Sequence, residues 1–180
     1  MKNYKKNLEL LTKNFVYSKE MEHDACGVGL IASTEGKKSR AIVEHGIEAL
    51  KAVWHRGAVD ADGKTGDGAG IHVEIPKDFF IEKIQVTGHD YDSSEICVGM
   101  IFLPRNDYSA QENCKTIVES EITKNNFSIY GWRQVPVNPK ILGEKALLSM
   151  PEIIQVLFKS NDSNLLDKNL ERKIYEIRKR

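Results

Sequence analysis

Residues 1–25 are polar, lysine-rich and without regular apolar spacing, so they read as a leader outside the core. The pattern changes at Cys26. Cys26, Val28, Leu30 and Ala32 fall on one face of an extended segment, with Gly27 and Gly29 opposite, which predicts a strand over 26–32. Two glycines weaken a strand and mark a place where another chain or a ligand comes close. After a turn at Glu35-Gly36, Ile42, Val43, Ile47, Leu50, Val53 and Trp54 recur at helical spacing. They predict a helix over 40–55 with Ser39 as N-cap, His55 and Arg56 in its last turn, and Gly57 as its stop. A glycine-rich loop, 60–70, leads to a strand over 71–75, ended by Pro76, and a short helix over 77–84. Further on, the pattern predicts strands over 96–103, 127–135 and 152–158 and a helix over 109–124. A last helix over 167–180 places Leu170, Ile174 and Ile177 on one face. This alternation suits a small parallel α/β sheet as well as an antiparallel α+β arrangement, and periodicity does not separate them.

Composition narrows the function classes. A chain of 180 residues corresponds to about one domain, and at that size roughly 70% of the unfolded surface is buried on folding. Twenty-six basic residues balance 26 acidic ones, which gives no electrostatic reason to expect nucleic acid or an anionic membrane as partner. Apolar runs such as Ile101–Leu103 are far too short to cross a bilayer. Lys2, Lys5 and Lys6 could open a signal peptide, but Leu8-Glu9-Leu10-Leu11 is broken at once by Lys13 and Asn14, so a cytoplasmic location is expected. Cys26, Cys97 and Cys114 are an odd number with no C-x-x-C pair, against a disulfide framework, a zinc site or an iron–sulfur cluster in this chain. Cys97 and Cys114 sit in apolar strand and helix patterns and read as packing residues.

The loop over 60–70 fails three generic motifs. Five residues, not four, separate Gly57 from Gly63-Lys64-Thr65, so it is not a P-loop. Gly66, Gly68 and Gly70 run G-x-G-x-G, with Ile71 where a dinucleotide fingerprint needs its third glycine. An EF-hand begun at Asp60 would carry Lys64 and Thr65 at its fifth and sixth positions. On its own the segment is a turn with tight backbone angles.

Longer strings are more specific. Asp24-Ala-Cys-Gly-Val-Gly-Leu-Ile-Ala32, Trp54-His-Arg-Gly-Ala58 and Asp62-Gly-Lys-Thr-Gly-Asp-Gly-Ala-Gly70 follow one another in order. Gly99 to Pro104, Tyr130-Gly-Trp-Arg-Gln-Val-Pro136 and Gly143-Glu-Lys-Ala146 continue the series. Together they resemble the beginning of the glutamate synthase large-subunit family, whose first domain is a class II (N-terminal nucleophile) glutamine amidotransferase. The resemblance covers nearly all of the chain after the leader.

The resemblance implies an α+β N-terminal-nucleophile hydrolase fold, a four-layer αββα sandwich, incomplete here at its C-terminal end. It divides the chain into a leader, 1–25, and the first part of the amidotransferase domain, 26–180. It makes Cys26 the nucleophile once the leader is removed, with Arg56 and Gly57 positioning it or the substrate. The residues suit that chemistry. A free thiol has a pKa of about 8.5 and an α-amine one of about 7.7–8.0, so the amine of Cys26 can take the thiol proton without a histidine. While the leader is attached the same nitrogen is an amide and is no base. A guanidinium near the sulfur favours thiolate, whereas the structural alternative for Arg56 is to complement the helix C-terminus. His55 reads as a structural histidine. The family's oxyanion hole uses an Asn-Gly pair, followed by an acidic residue that binds the substrate amine. This chain has no Asn-Gly dipeptide, so by itself it is expected to be inactive. L-glutamine is the implied substrate. The implied partners are the rest of the large subunit and either a small NAD(P)H-oxidising subunit or ferredoxin, with no nucleic acid and no membrane. FMN and an iron–sulfur cluster are implied for the complete enzyme, and no cofactor for this chain. Amidophosphoribosyl and hexosamine-phosphate branches fit the leader and the Trp-His-Arg-Gly-Ala string less well. From a different class, a non-catalytic fragment or an assembly module remains open.

Overall fold

Three apolar runs far apart in the chain meet in one antiparallel sheet in the computed structural model, which describes residues 2–14, 27–54, 57–66 and 68–179. The chain divides into two units, Met1–Ala49 and Leu50–Arg180. The first holds helix α1 (Lys2–Lys13) and most of α2 (Arg40–Ala52). Residues 5–7 and 9–14 are exposed, in keeping with a segment outside a core. The helix departs from the irregular leader that the spacing predicts, and Leu8 and Leu11, three apart among good helix formers, are its local sign.

The second unit contains the sheet, ordered β1-β3-β2, with β1 at Cys97–Leu103, β2 at Phe127–Gln134 and β3 at Glu152–Ser160. Both pairings are antiparallel, with Gly99 opposite Val156 and Phe127 opposite Ser160. The parallel arrangement that periodicity allowed is thereby set aside. β3 lies between two strands and is covered on both faces, so Val156, Leu157 and Phe158 form a continuous buried run instead of an alternating one. Val156 and Phe158 pack with Cys97, Phe127, Ile122 of α4 (Tyr108–Lys124) and Leu170 of α6 (Asp167–Arg178). Leu157 packs on the other face with Tyr130, Ile96 and the two apolar residues Phe80 and Ile84 of α3 (Lys77–Val86).

Local sequence accounts for the joins. Asp107 caps α4, its carboxylate accepting the Ala110 N–H at 2.9 Å. The buried Gln111 side chain donates to the Pro104 carbonyl at 2.7 Å, which satisfies it inside the core. In β2 the register shifts between Ile129 and Gly131, so Tyr130 is an extra residue, a bulge that leaves both Ile129 and Trp132 on the α4 face. Gly131 is needed there twice over. Its φ is +147°, and a side chain would run into Thr87 Cγ2 at 2.8 Å.

The predicted strands over 96–103, 127–135 and 152–158 and the helices over 77–84, 109–124 and 167–180 appear with shifted ends. Leu170, Ile174 and Ile177 do meet the core as one face. Two predicted strands do not form. Residues 27–33 carry no ladder, with Val28 and Leu30 94% and 91% exposed, and residues 71–75 are likewise unpaired. Alternation gives a segment a face but not a neighbour, and a strand exists only once its N–H and C=O groups find one. Cys26, the first residue of the earlier segment, lies outside the described residues. Neither the six-residue helix α5 (Glu144–Ser149) nor the 3-10 turn Pro139–Ile141 was predicted, since each is too short to show a period.

Leu157 is fully buried in the middle strand. Leu157→Ala should therefore destabilise the protein by about 2–5 kcal/mol, measurable as a lower urea midpoint with an unchanged slope.

Candidate functional site

Of the residues the sequence singles out, Cys26, His55 and Arg56 lie outside the described residues. Gly57 is described. Its N–H donates to the Trp54 carbonyl at 3.0 Å, but α2 already ends at Ala52, so Gly57 is not the residue that stops it. Cys97 is buried in the core, in agreement with its reading as a packing residue, and Cys114 on α4 is half-buried. Burial pushes the Cys97 thiol up to about 12, so it stays protonated and unreactive at neutral pH.

The chain after Gly57 is highly ordered by its own side chains. Val59 and Gly66 form an antiparallel bridge. Within it the Asp60 N–H donates to the Thr65 carbonyl at 2.7 Å, and the Gly63 N–H to the Asp60 carbonyl at 2.9 Å. Gly63 takes φ +66°, which the Asp-Gly pair at 62–63 provides. Asp62 holds the inside of the turn. Its Oδ1 accepts the N–H groups of Lys64 and Thr65 at 2.9 and 2.7 Å, and its Oδ2 accepts the Thr65 hydroxyl at 2.5 Å. These donors, the Thr65 hydroxyl foremost, lower its pKa to about 2, and the Glu144 N–H at the start of α5 adds to the effect.

That last contact joins two distant parts of the chain. Gly143, just ahead of α5, fits so closely against the turn that a side chain on it would overlap Asp62 Oδ2 and the Thr65 hydroxyl, with Thr65 N at 2.7 Å. Lys145 Nζ donates to Asp60 Oδ2 at 2.6 Å, a pair 85 residues apart in sequence. The strings Asp62–Gly70 and Gly143–Ala146 are thus, in part, two sides of one contact. Nothing local in either string signals a partner so far along the chain. The Asp-Gly turn was the one legible sign.

A second polar cluster lies where the 87–95 connection crosses the sheet. The Tyr130 hydroxyl donates to Asp92 Oδ1 at 3.0 Å, and Lys159 of β3 pairs with the other carboxylate oxygen. Lys159, with Ser94 and Tyr130, holds Asp92 well below the usual carboxylate range, while burial and Asp92 raise the Tyr130 hydroxyl. This network ties the connection to β2 and β3. Among the described residues no group of three or more His, Cys, Asp or Glu is placed to hold a metal ion, and no helix is long and apolar enough to cross a membrane.

A domain of mixed helices and antiparallel sheet, with an ordered loop directly after a His-Arg-Gly string, defines the class. The model of the class II glutamine amidotransferases matches residues 26–180, and the chain belongs to that family. Its relatives narrow the comparison. It is 53% identical over 177 residues to the glutamate synthase [NADPH] large chain of Azospirillum brasilense, covering 98% of this chain and 12% of that one. It is 38% identical over 172 residues to the ferredoxin-dependent glutamate synthase of Pyropia yezoensis, covering 95% and 11%. With the glutamate synthase [NADH] of Saccharomyces cerevisiae it shares 40% over 151 residues, covering 81% and 7%. The chain therefore spans about an eighth or less of the length of these relatives.

The lowered Asp62 fixes a sign for pH dependence. Its folded pKa lies below the ordinary value of about 3.9, so the stabilisation is complete above about pH 4 and is lost as pH falls towards about 2. Hydrogen exchange at the Thr65 N–H should be equally protected from pH 7 to about 4, after correction for intrinsic rates, and lose protection approaching about 2. Asp62→Asn should remove that step.

Proposed function

We propose that this chain is the glutamine-hydrolysing part of a glutamate synthase large subunit, with Cys26 as the nucleophile after removal of residues 1–25. The observation that carries the reading is where the family match begins, at Cys26 itself. The 98% coverage against the Azospirillum relative takes in residues ahead of that point, as a shared leader would.

In this reading the freed α-amine of Cys26 accepts the thiol proton, directly or through water, and the thiolate attacks the carboxamide carbon of L-glutamine. The C–N bond breaks, ammonia leaves with a proton returned from the amine, and a glutamyl thioester remains. Water then cleaves the thioester and gives glutamate. Arg56 holds the sulfur in its thiolate form by its positive charge, and Gly57 gives the backbone room to approach. The oxyanion donors and the acidic anchor for the substrate amine belong to other segments, since no Asn-Gly pair occurs here. For that reason residues 26–180 alone do not make a competent glutaminase. One missing oxyanion donor alone costs about a hundred- to thousandfold in rate.

The fold completes the same picture. A four-layer αββα sandwich needs a second sheet, and exposed apolar residues support surfaces that the rest of the protein covers: Val28, Leu30, Ile71, Val73, Met100 and Phe102. The released ammonia serves glutamate formation from 2-oxoglutarate elsewhere in the complete enzyme, in the cytoplasm, with electrons from a small NAD(P)H-oxidising subunit or ferredoxin. FMN and the iron–sulfur cluster belong to those other parts.

The test uses the full-length enzyme. Cys26→Ser should lower glutamine-driven glutamate formation by about a thousandfold or more, while ammonia-driven formation survives in part. Equal loss of both activities would assign Cys26 a folding role and contradict the reading. Unchanged glutamine use would contradict it outright.

A further inference from the structure

The two faces of the sheet are covered unequally. On the face away from α4 and α6, helix α3 packs on Leu157 and Tyr130, and the strands run on past it. Met100 stands opposite Gln155 and Gln155 opposite Arg133, one rung across β1, β3 and β2. Phe102 stands opposite Ile153 in the next rung. Residues two apart along a strand share a face, so all five side chains lie on the face of Leu157. Phe102 and Met100 are 63% and 47% exposed. Arg133 is the charged member of the group. Its Nη1 donates to Gln155 Oε1 at 2.6 Å, and its guanidinium lies over the Phe79 ring, 5.1 Å from the centroid. Gln155 is fixed in turn by a bond from its Nε2 to Met100 Sδ at 3.1 Å. Arg133 has therefore given up much of its rotamer freedom in advance of any binding. Lys83, over the same ring, is neutralised by Glu82 at 3.0 Å. Arg133 has no such partner among the described residues, where no carboxylate pairs with it.

A held guanidinium with donors to spare is suited to a carboxylate, which it can bind through two parallel bonds. We propose that this open half of the sheet is an interaction surface for a segment from the remainder of the large subunit, which seats an Asp or Glu carboxylate on Arg133 and apolar side chains on Met100, Phe102 and Ile153. This rests on the reading of the chain as part of a glutamate synthase large subunit. The relatives have the length for such a segment, since this chain spans 12% of the one from Azospirillum. The chemistry speaks against symmetric pairing with a second copy. An isologous contact lays the same patch on itself, and these five side chains offer a guanidinium but no carboxylate to receive it. Large exposed apolar side chains also suit a permanent neighbour better than one that comes and goes, because obligate interfaces are the more hydrophobic. Covering Phe102 excludes water from beside Arg133 as well, which strengthens the ion pair.

The test is photo-cross-linking in the full-length enzyme, with Phe102→p-benzoylphenylalanine as the probe and the joined peptides read by mass spectrometry. The expected product is a cross-link to a peptide of the same chain beyond residue 180 that carries Asp or Glu. Arg133→Glu in the same background should lower its yield at least about tenfold, because a like charge replaces the pair. Arg133→Gln should lower it by less, and ammonia-driven turnover reports that each variant is folded. A product joining two copies, recognised with a co-expressed tagged copy, would overturn the proposal. So would a cross-link to another subunit, one confined to residues 1–180, or none. Full yield in both Arg133 variants would remove the carboxylate contact and overturn it too. Loss of ammonia-driven turnover in both would make Arg133 a folding residue and overturn its docking role. The functional reading fails on different results, namely a gene product that ends with these 180 residues or glutamine turnover that survives Cys26→Ser, and the proposal then falls with it.

Discussion

The placing of β3 between β1 and β2 is the constraint on which the described structure of the second unit depends. A strand paired on both sides has no free edge, and one covered on both faces needs apolar residues at successive positions. Val156, Leu157 and Phe158 meet that need, and their alternate side chains recruit α4 and α6 to one face and α3 to the other. The bulge at Tyr130 is a consequence. It allows β2 to keep Ile129 and Trp132 on the α4 face while the Tyr130 ring joins Leu157, and its hydroxyl then anchors the 87–95 connection through Asp92.

Beside this apolar assembly stands a small polar one with a different task. Asp62 satisfies three donors of its own turn, and Gly143 and Lys145 lock that turn to α5. The exposed Lys145–Asp60 pair would be weak on its own, as surface ion pairs generally are. Its worth lies in acting together with a steric fit and a carboxylate facing backbone donors, so that loop geometry is set by several modest interactions at once.

Much of this was legible in the sequence where a pattern was long. The run Cys97–Leu103 and the helical spacing of Leu170, Ile174 and Ile177 announced their elements because burial dictates residue type over two turns or more. The segments 26–32 and 71–75 alternate as strands do, but pairing depends on partners that periodicity cannot name, and the described residues of both are unpaired. The antiparallel order of the sheet, the bulge at Tyr130 and the contact between Asp62 and Gly143 are all long-range facts, invisible to any local rule. For the site the balance is reversed. Cys26, Arg56 and Gly57 are candidates from the wording of the motifs alone, whereas the contact of the 59–66 turn with α5 joins residues too far apart in the chain for any motif to show.

The central claim is that Cys26 becomes an N-terminal residue whose own amine serves as its base. The most direct test is the N-terminal mass of the full-length enzyme isolated in an active state with glutamine. The account predicts a first residue of Cys26 with a free α-amine, residues 1–25 having been removed. An enzyme that turns over glutamine while still beginning at Met1 would contradict it.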